Sequence, residues 1–199
     1  MQTENAVTVA EISSFQLETI KSFHPYASAI TNITPDHLNR HHTMEEYIRV
    51  KERIAENQTP DEICVLNYED EVLREFGKTL KCRPVYFSSV RPVENGMYYK
   101  DGAIYLAENN KAGLFVRTDE LHLLGLHNFE NIMTAALMAL FAGVDIDTVR
   151  NVTKAFKGVA HRIEFVCEKD GVRYYNDSKG TNPDAAIKGI QAMNRPTLL

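Results

Sequence analysis

Short apolar runs separated by helix-forming segments fill the first half of the chain, and they leave it few folds to choose from. Residues 6–12 (AVTVAEI), 27–33 (ASAITNI), 63–66 (ICVL) and 84–87 (PVYF) have the length and composition of buried strands. After the first run, Ser13 and Gln16 have the spacing of a capping box, and Phe15, Leu17 and Ile20 give the short helix an apolar side. After the second, Thr34-Pro35-Asp36-His37 must stop the strand, because Pro35 removes a donor and fixes φ. Thr43-Met44-Glu45-Glu46 then reads as another capping box. A third helix is expected over residues 69–76, ended by Gly77. Strands alternating with helices predict an α/β fold with a largely parallel sheet flanked by helices.

The helix that begins at Thr43 poses a problem. Met44, Tyr47, Ile48, Ile54 and Ala55 fall on one stripe, and Lys51 falls on the same stripe. A buried ammonium costs several kcal/mol unless it is paired. Lys51 either snorkels past the core to water or points into a polar site shared with His37.

Beyond residue 87 the pattern changes. Residues 97–99, 103–106 and 113–116 are short strand-like runs, and Lys100-Asp101-Gly102 supplies a hairpin turn, so a small antiparallel sheet is expected beside the main one. Residues 132–142 form an apolar helix ended by Gly143, and residues 145–156 a further helix capped by Asp145 or Asp147. Lys157-Gly158 breaks the pattern and divides the chain into residues 1–158 and 159–199. Past the break, strands are expected over 162–167 and 172–175, a polar loop over 176–183, a helix over 184–193 and the start of a strand over 196–199. A piece of that size cannot bury its own core, which points to a fragment of a longer protein.

Composition narrows the functional classes. The net charge is −5 without a basic run, which argues against nucleic acid or a membrane surface as partner. No apolar stretch approaches the roughly 18 residues of a membrane span. Three cysteines, odd in number and far apart, read as reduced thiols in a cytoplasmic protein.

In open α/β sheets ligands bind beyond the carboxyl ends of the strands. Glu11 ends the first predicted strand, Thr34, Asp36 and His37 follow the second, and Asn67 ends the third. Carboxylate and imidazole on one rim, with Lys51 nearby, suit a divalent cation such as Mg²⁺ alongside phosphate oxygens. Simpler roles exist: Glu11 can bond nearby backbone N–H groups, and His37 can pair with Asp36. His41 and His42 are expected on the solvated surface. Gly77-Lys78-Thr79 is not a phosphate loop, because it lacks the upstream glycine and follows a helix rather than a strand.

Six motifs occur in order: EISSFQLE (11–18), NITPDHLNRH (32–41), YIRVK (47–51), GLHNFENI (125–132), HRIE (161–164) and NDSKGTN (176–182). Together they resemble the Mur ligases of peptidoglycan synthesis, over essentially the whole chain. That family has an N-terminal UDP-binding domain, a central ATPase domain and a C-terminal Rossmann-like domain. The resemblance makes residues 1–158 an incomplete central ATPase-type domain and 159–199 the beginning of the Rossmann-like domain. The SSFQLE form is most similar to the member that joins D-glutamate to UDP-N-acetylmuramoyl-L-alanine, with ATP forming an acyl phosphate that the amine attacks.

By motif, Glu11 resembles a ligand of the Mg²⁺ that bridges the ATP phosphates, and His37 the ligand of a second Mg²⁺. Lys51 resembles a lysine carbamylated by CO₂, which turns an ammonium into an anionic metal-site group. Asn128 and Asn131 resemble residues near adenine, although Asn128 could simply be a helix N-cap. Arg162 and Lys179 resemble residues that reach the nucleotide phosphates, Asp177 resembles the ribose contact, and Ser13 is expected near the muramyl substrate. For Arg162, Asp177 and Lys179 an ordinary polar interdomain loop is the plainer alternative. Lys51, His37 and Lys179 form the expected catalytic set. The family's phosphate loop, its UDP-binding domain and most of its third domain have no counterpart in this sequence. The parent is therefore expected to be a ligase and this chain alone to be inactive. Another Mur ligase, a folylpolyglutamate synthase and a non-catalytic remnant are the alternatives.

Overall fold

In the computed structural model, which describes residues 6–181 and 183–199, the most continuously apolar run becomes the most buried strand. The elements in order are α1 (Ser14–Leu17), β1 (Ala27–Ile30), α2 (Leu38–His41), α3 (Met44–Glu52), β2 (Ile63–Asn67), α4 (Glu71–Thr79) and β3 (Arg83–Ser88). Then come β4 (Gly96–Lys100), β5 (Ala103–Glu108), β6 (Lys111–Arg117), α5 (Leu126–Phe141), α6 (Ile146–Ala155), β7 (Glu164–Lys169), β8 (Val172–Asn176) and α7 (Pro183–Gln191). The first six strands form one sheet in sequence order, parallel from β1 to β4 and antiparallel from β4 to β6. β7 and β8 form a separate antiparallel pair.

β2 is buried along its whole length, and its period of two divides the core. Ile63 and Val65 pack with Phe87, Met97, Met133, Ala136 and Leu137 in the layer under α5. Cys64 and Leu66 pack with Tyr47, Ala55 and Leu73 in the layer under α3 and α4. Burial pushes the Cys64 thiol up to about 12, against the opposing hydrogen bond of Ser28, so it stays protonated.

Residues 6–12 do not join the sheet. Val7 is 74% and Val9 87% exposed, and among the described residues the only ladder partner of β1 is β2. An apolar run becomes a strand only where a neighbouring backbone offers its N–H and C=O groups. β1 ends at Ile30 rather than 33, because side chains take over the ladder's hydrogen bonds. Asn67 Nδ2 donates to Thr31 O (3.1 Å), and Ile33 N donates to Asp70 Oδ2 (2.9 Å).

α4 starts after its Asp70 cap and runs through Gly77 to Thr79. Gly77 is therefore no stop signal. It is buried under Tyr86, where a Cβ would lie 2.0 Å from the phenol oxygen. We expect Gly77→Ala to destabilise the fold by about 1–3 kcal/mol in urea melts through overpacking, although alanine is the better helix former. Gly77-Lys78-Thr79 lies within this helix, as a decoy for a phosphate loop should.

The hairpin prediction holds: Asp101 (φ 49°) and Gly102 (φ 77°) turn between the paired Lys100 and Ala103. This antiparallel meander continues the main sheet through β3–β4 pairing. α5 begins six residues before the expected helix, and Asp145 caps α6 by accepting from the backbone N–H of Asp147 and Thr148. β7 starts at Glu164 because His161 and Ile163 have positive φ, and residues 196–199 form no strand. Asn182 of the NDSKGTN motif lies outside the described residues. Among the described residues no helix is long and apolar enough to cross a membrane.

Candidate active site

The first group of predicted site residues gathers where the loops after β1 and before α1 meet α3. The Thr43 hydroxyl caps α3 by accepting from Glu46 N (3.2 Å), but Glu46 turns its carboxylate to Arg49 (2.6 Å), so only half of the expected box forms. Two turns into α3, Lys51 is half-buried, with Nζ 5.4 Å from the centre of the Tyr47 ring. Burial lowers its pKa from the ordinary lysine range, while the carboxylates of Asp36 and Glu11 oppose that shift. The Lys51 ammonium is thus partly desolvated and feels two acids from two other segments.

His37 adopts a left-handed conformation (φ 53°) as the residue before α2. Asp36 supports it, with Oδ1 accepting from His37 N (2.8 Å) and Oδ2 3.4 Å from His37 Nε2. The His37 ring lies 4.9 Å from that of Phe15. Ser13 is exposed and spends its groups on α1: its N–H donates to Gln16 Oε1 (2.8 Å) and its hydroxyl accepts from Gln16 N (3.3 Å). Among the described residues no three His, Cys, Asp or Glu side chains are already gathered for a metal. The donor chemistry still fits Mg²⁺, which takes one or two carboxylates and keeps waters or phosphate oxygens. Glu11 and His37 are exposed, and Lys51 is the cation on which the Glu11 and Asp36 carboxylates both act.

The sequence reading missed how this group is held. His41, expected on the surface, is 3% exposed. Its Nε2 is 3.0 Å from Ser14 Oγ and its Nδ1 3.5 Å from Glu18 Oε1, and its ring contacts those of Phe15 and Tyr47. Arg40 pairs with Glu18 (2.8 Å), and Arg53 donates to the carbonyls of Leu17, Glu18 and Ile20.

The second group surrounds the amino end of α5. Gly125 (φ 89°) precedes the helix and Asn128 lies inside it, so Asn128 is not the N-cap; its Nδ2 donates to Leu124 O (2.7 Å). Asn131 is exposed. Glu130 accepts from Ser89 Oγ (2.6 Å), which ties this helix end to the carboxyl end of β3. His127 is half-buried, and burial lowers its pKa; Glu130 and Asp177 pull it up and Lys188 pushes it down. Asp177 thus acts electrostatically on His127, in the first turn of α5. Its Oδ1 accepts from Ile163 N (3.1 Å), and a Cβ on Gly180 or Gly189 would lie 2.8 or 2.7 Å from its Oδ2. Arg162 and Lys179 are exposed, and Lys179 N donates to His161 O (3.0 Å).

The family described as Mur ligase middle domain matches residues 1–139, which include every residue of the first group and the start of α5. The chain belongs to the Mur ligase family. Among its Mur ligase relatives, a UDP-N-acetylmuramoylalanine–D-glutamate ligase of Lachnoclostridium phytofermentans is 52% identical over 198 residues, covering 99% of this chain and 44% of the relative. A protein of the same name from Clostridioides difficile is 47% identical over 98% of this chain and 43% of the relative. The chain thus spans less than half the length of these curated relatives. MurF of Acinetobacter baumannii shares the fold with a TM-score of 0.67 at 19% identity, over 84% of this chain and 37% of that one. MurF of Thermotoga maritima, solved in complex with ADP, does so with a TM-score of 0.61 at 22% identity, over 84% and 39%.

Proposed function

We propose that the protein carrying this chain is an ATP-dependent ligase that joins D-glutamate to UDP-N-acetylmuramoyl-L-alanine in the cytoplasm, through an acyl phosphate, during peptidoglycan synthesis. The observation that carries this reading is about 50% identity, over nearly the whole chain, to relatives named for that reaction. In this reading Glu11 and His37 would hold Mg²⁺, which when bound would supply charge neutralisation for phosphoryl transfer. Asn128 and Asn131 lie along the adenine, Asp177 binds the ribose, Arg162 and Lys179 reach the phosphates, and Ser13 lies near the muramyl substrate. Residues 1–158 belong to an ATPase-type domain and 159–199 open a second one; the separate β7–β8 pair supports that division.

Lys51 acts as a carbamate. Its neutral amine attacks CO₂, a C–N bond forms and the surplus proton leaves to water. The side chain changes from cation to anion, and Glu11 and Asp36 change from its counter-ions into neighbours that need a divalent cation. Because burial favours the neutral amine, the ¹³C carbamate signal of Lys51 in [¹³C]bicarbonate is expected to appear at lower pH than that of an exposed lysine. A signal with the pH dependence of the surface lysines would remove Lys51 from this role. Release of ADP, with each candidate amino acid as acceptor, tests the reaction itself. A clear preference for an acceptor other than D-glutamate would refute the substrate assignment.

A further inference from the structure

We propose that Asp70 is a positioning residue: its carboxylate ties the loop that carries Asp36 and His37 to the carboxyl end of β2, and so sets where His37 stands. That this placement serves a metal site rests on the reading of His37 given above.

The pairing of β1 with β2 ends at Ile30 and Leu66, and residues 31–36 run on outside the ladder before His37 is reached. Backbone that leaves a ladder needs other partners for its N–H and C=O groups. Two side chains of the β2–α4 connection supply them. Asn67 Nδ2 donates to Thr31 O (3.1 Å), and its Oδ1 accepts from Glu69 N (2.9 Å). Asp70 uses one carboxylate twice. Oδ1 accepts from Leu73 N (3.2 Å), which caps α4, and Oδ2 accepts from Ile33 N (2.9 Å). A hydrogen bond to an ionised carboxylate is roughly twice as strong as one between neutral groups. The Ile33 side chain is buried in the layer that holds Tyr47, Leu66 and Leu73, which fixes its depth. The bond to its N–H fixes the direction in which the chain leaves.

Little freedom remains between that bond and His37. Thr34 precedes a proline and is biased to extended backbone, and Pro35 has a fixed φ. Asp36 Oδ1 then accepts from His37 N (2.8 Å). On the far side His37 O accepts from Arg40 N (2.9 Å) and His41 N (3.1 Å), so α2 holds the other end. His37 itself has φ 53°, a conformation that a residue other than glycine keeps only where its surroundings enforce it. Asp36 rides on the same loop and its carboxylate acts on Lys51, so the tether at Asp70 bears on both groups.

Partners that orient metal ligands typically govern affinity by about 10–100-fold. The test uses the 199-residue chain and two readouts that a loss of stability alone does not move while the chain stays folded. One is the NOE between the rings of Phe15 and His37, whose centres lie 4.9 Å apart. The other is paramagnetic broadening of the His37 ring resonances by Mn²⁺. Asp70→Asn keeps one side-chain oxygen to cap α4 and turns the second acceptor into a donor. It should lose the Phe15–His37 signal and raise the Mn²⁺ midpoint about tenfold or more. Asp70→Ser also caps a helix well, but one hydroxyl cannot serve Leu73 N and Ile33 N together. It should shift both readouts in the same direction, and it carries the test should Asp70→Asn fail to fold. If the folded variants keep the ring signal and the Mn²⁺ midpoint of the unaltered chain, the role of Asp70 is refuted and the metal reading stands. If His37 of the unaltered chain does not respond to Mn²⁺, the metal reading falls, and the hold of Asp70 on His37 is decided by the ring signal alone.

Discussion

In the ligase proposed above, Lys51→Ala is expected to lower turnover by about two to three orders of magnitude, with little change in thermal stability. Removing a single group that stabilises transition-state charge typically costs that much. The small stability effect follows from Lys51's position: it is half-buried, its desolvation already counts against the charged form, and alanine favours the helix. Steady-state kinetics should place the loss mainly in kcat, because in the proposed role a Lys51 carbamate would serve the metal and the reacting phosphate rather than substrate recognition. Lys51→Arg should be no better. A guanidinium keeps the positive charge at all accessible pH and cannot take up CO₂ to become an anion. Near-normal turnover of Lys51→Ala would mean that the side chain is only a partly desolvated surface lysine.

Phe87→Ala is expected to remove about 3–5 kcal/mol of stability, read as a lowered urea midpoint. Domains of this kind hold about 5–15 kcal/mol in total, so this one change would consume about a fifth or more. Phe87 has no exposed surface and is among the largest side chains of the layer beneath α5. Its backbone is fixed on both sides, paired with Asn67 of β2 and Met97 of β4, so the cavity cannot close by moving the strand. The cost should also reach the site. Ser88 and Ser89 follow directly, and Ser89 holds Glu130 at the start of α5.

Much of the fold was legible because burial and capping are local signals. The ICVL run, the Ser13–Gln16 box, the Asp101-Gly102 turn and the Asp145 cap each follow from a few adjacent residues. The failures have a common physical origin, since each depended on a partner distant in sequence. Residues 6–12 have strand composition but no ladder partner among the described residues. Gly77 looked like a stop until Tyr86 came to lie on it. His41 looked solvated until Ser14, Phe15 and Tyr47 enclosed it. The candidate site divided in the same way. The motifs nominated Glu11, His37, Lys51, Asn128 and Asp177 as candidates, whereas His41, Arg53 and the Ser89–Glu130 link are contacts across long sequence separations.

The alternation along β2 has a consequence for how the molecule comes apart. Ile63 and Val65 belong to one layer and Cys64 and Leu66 to the other, on a single stretch of backbone. Neither layer can open by itself without dragging that backbone out of the other. Heat or denaturant should therefore meet one cooperative unit across the sheet, with no stage in which the half under α5 has melted and the half under α4 survives. α3, which bears Lys51, and α5 rest on opposite faces of that unit, so the two halves of the candidate site share a single fate.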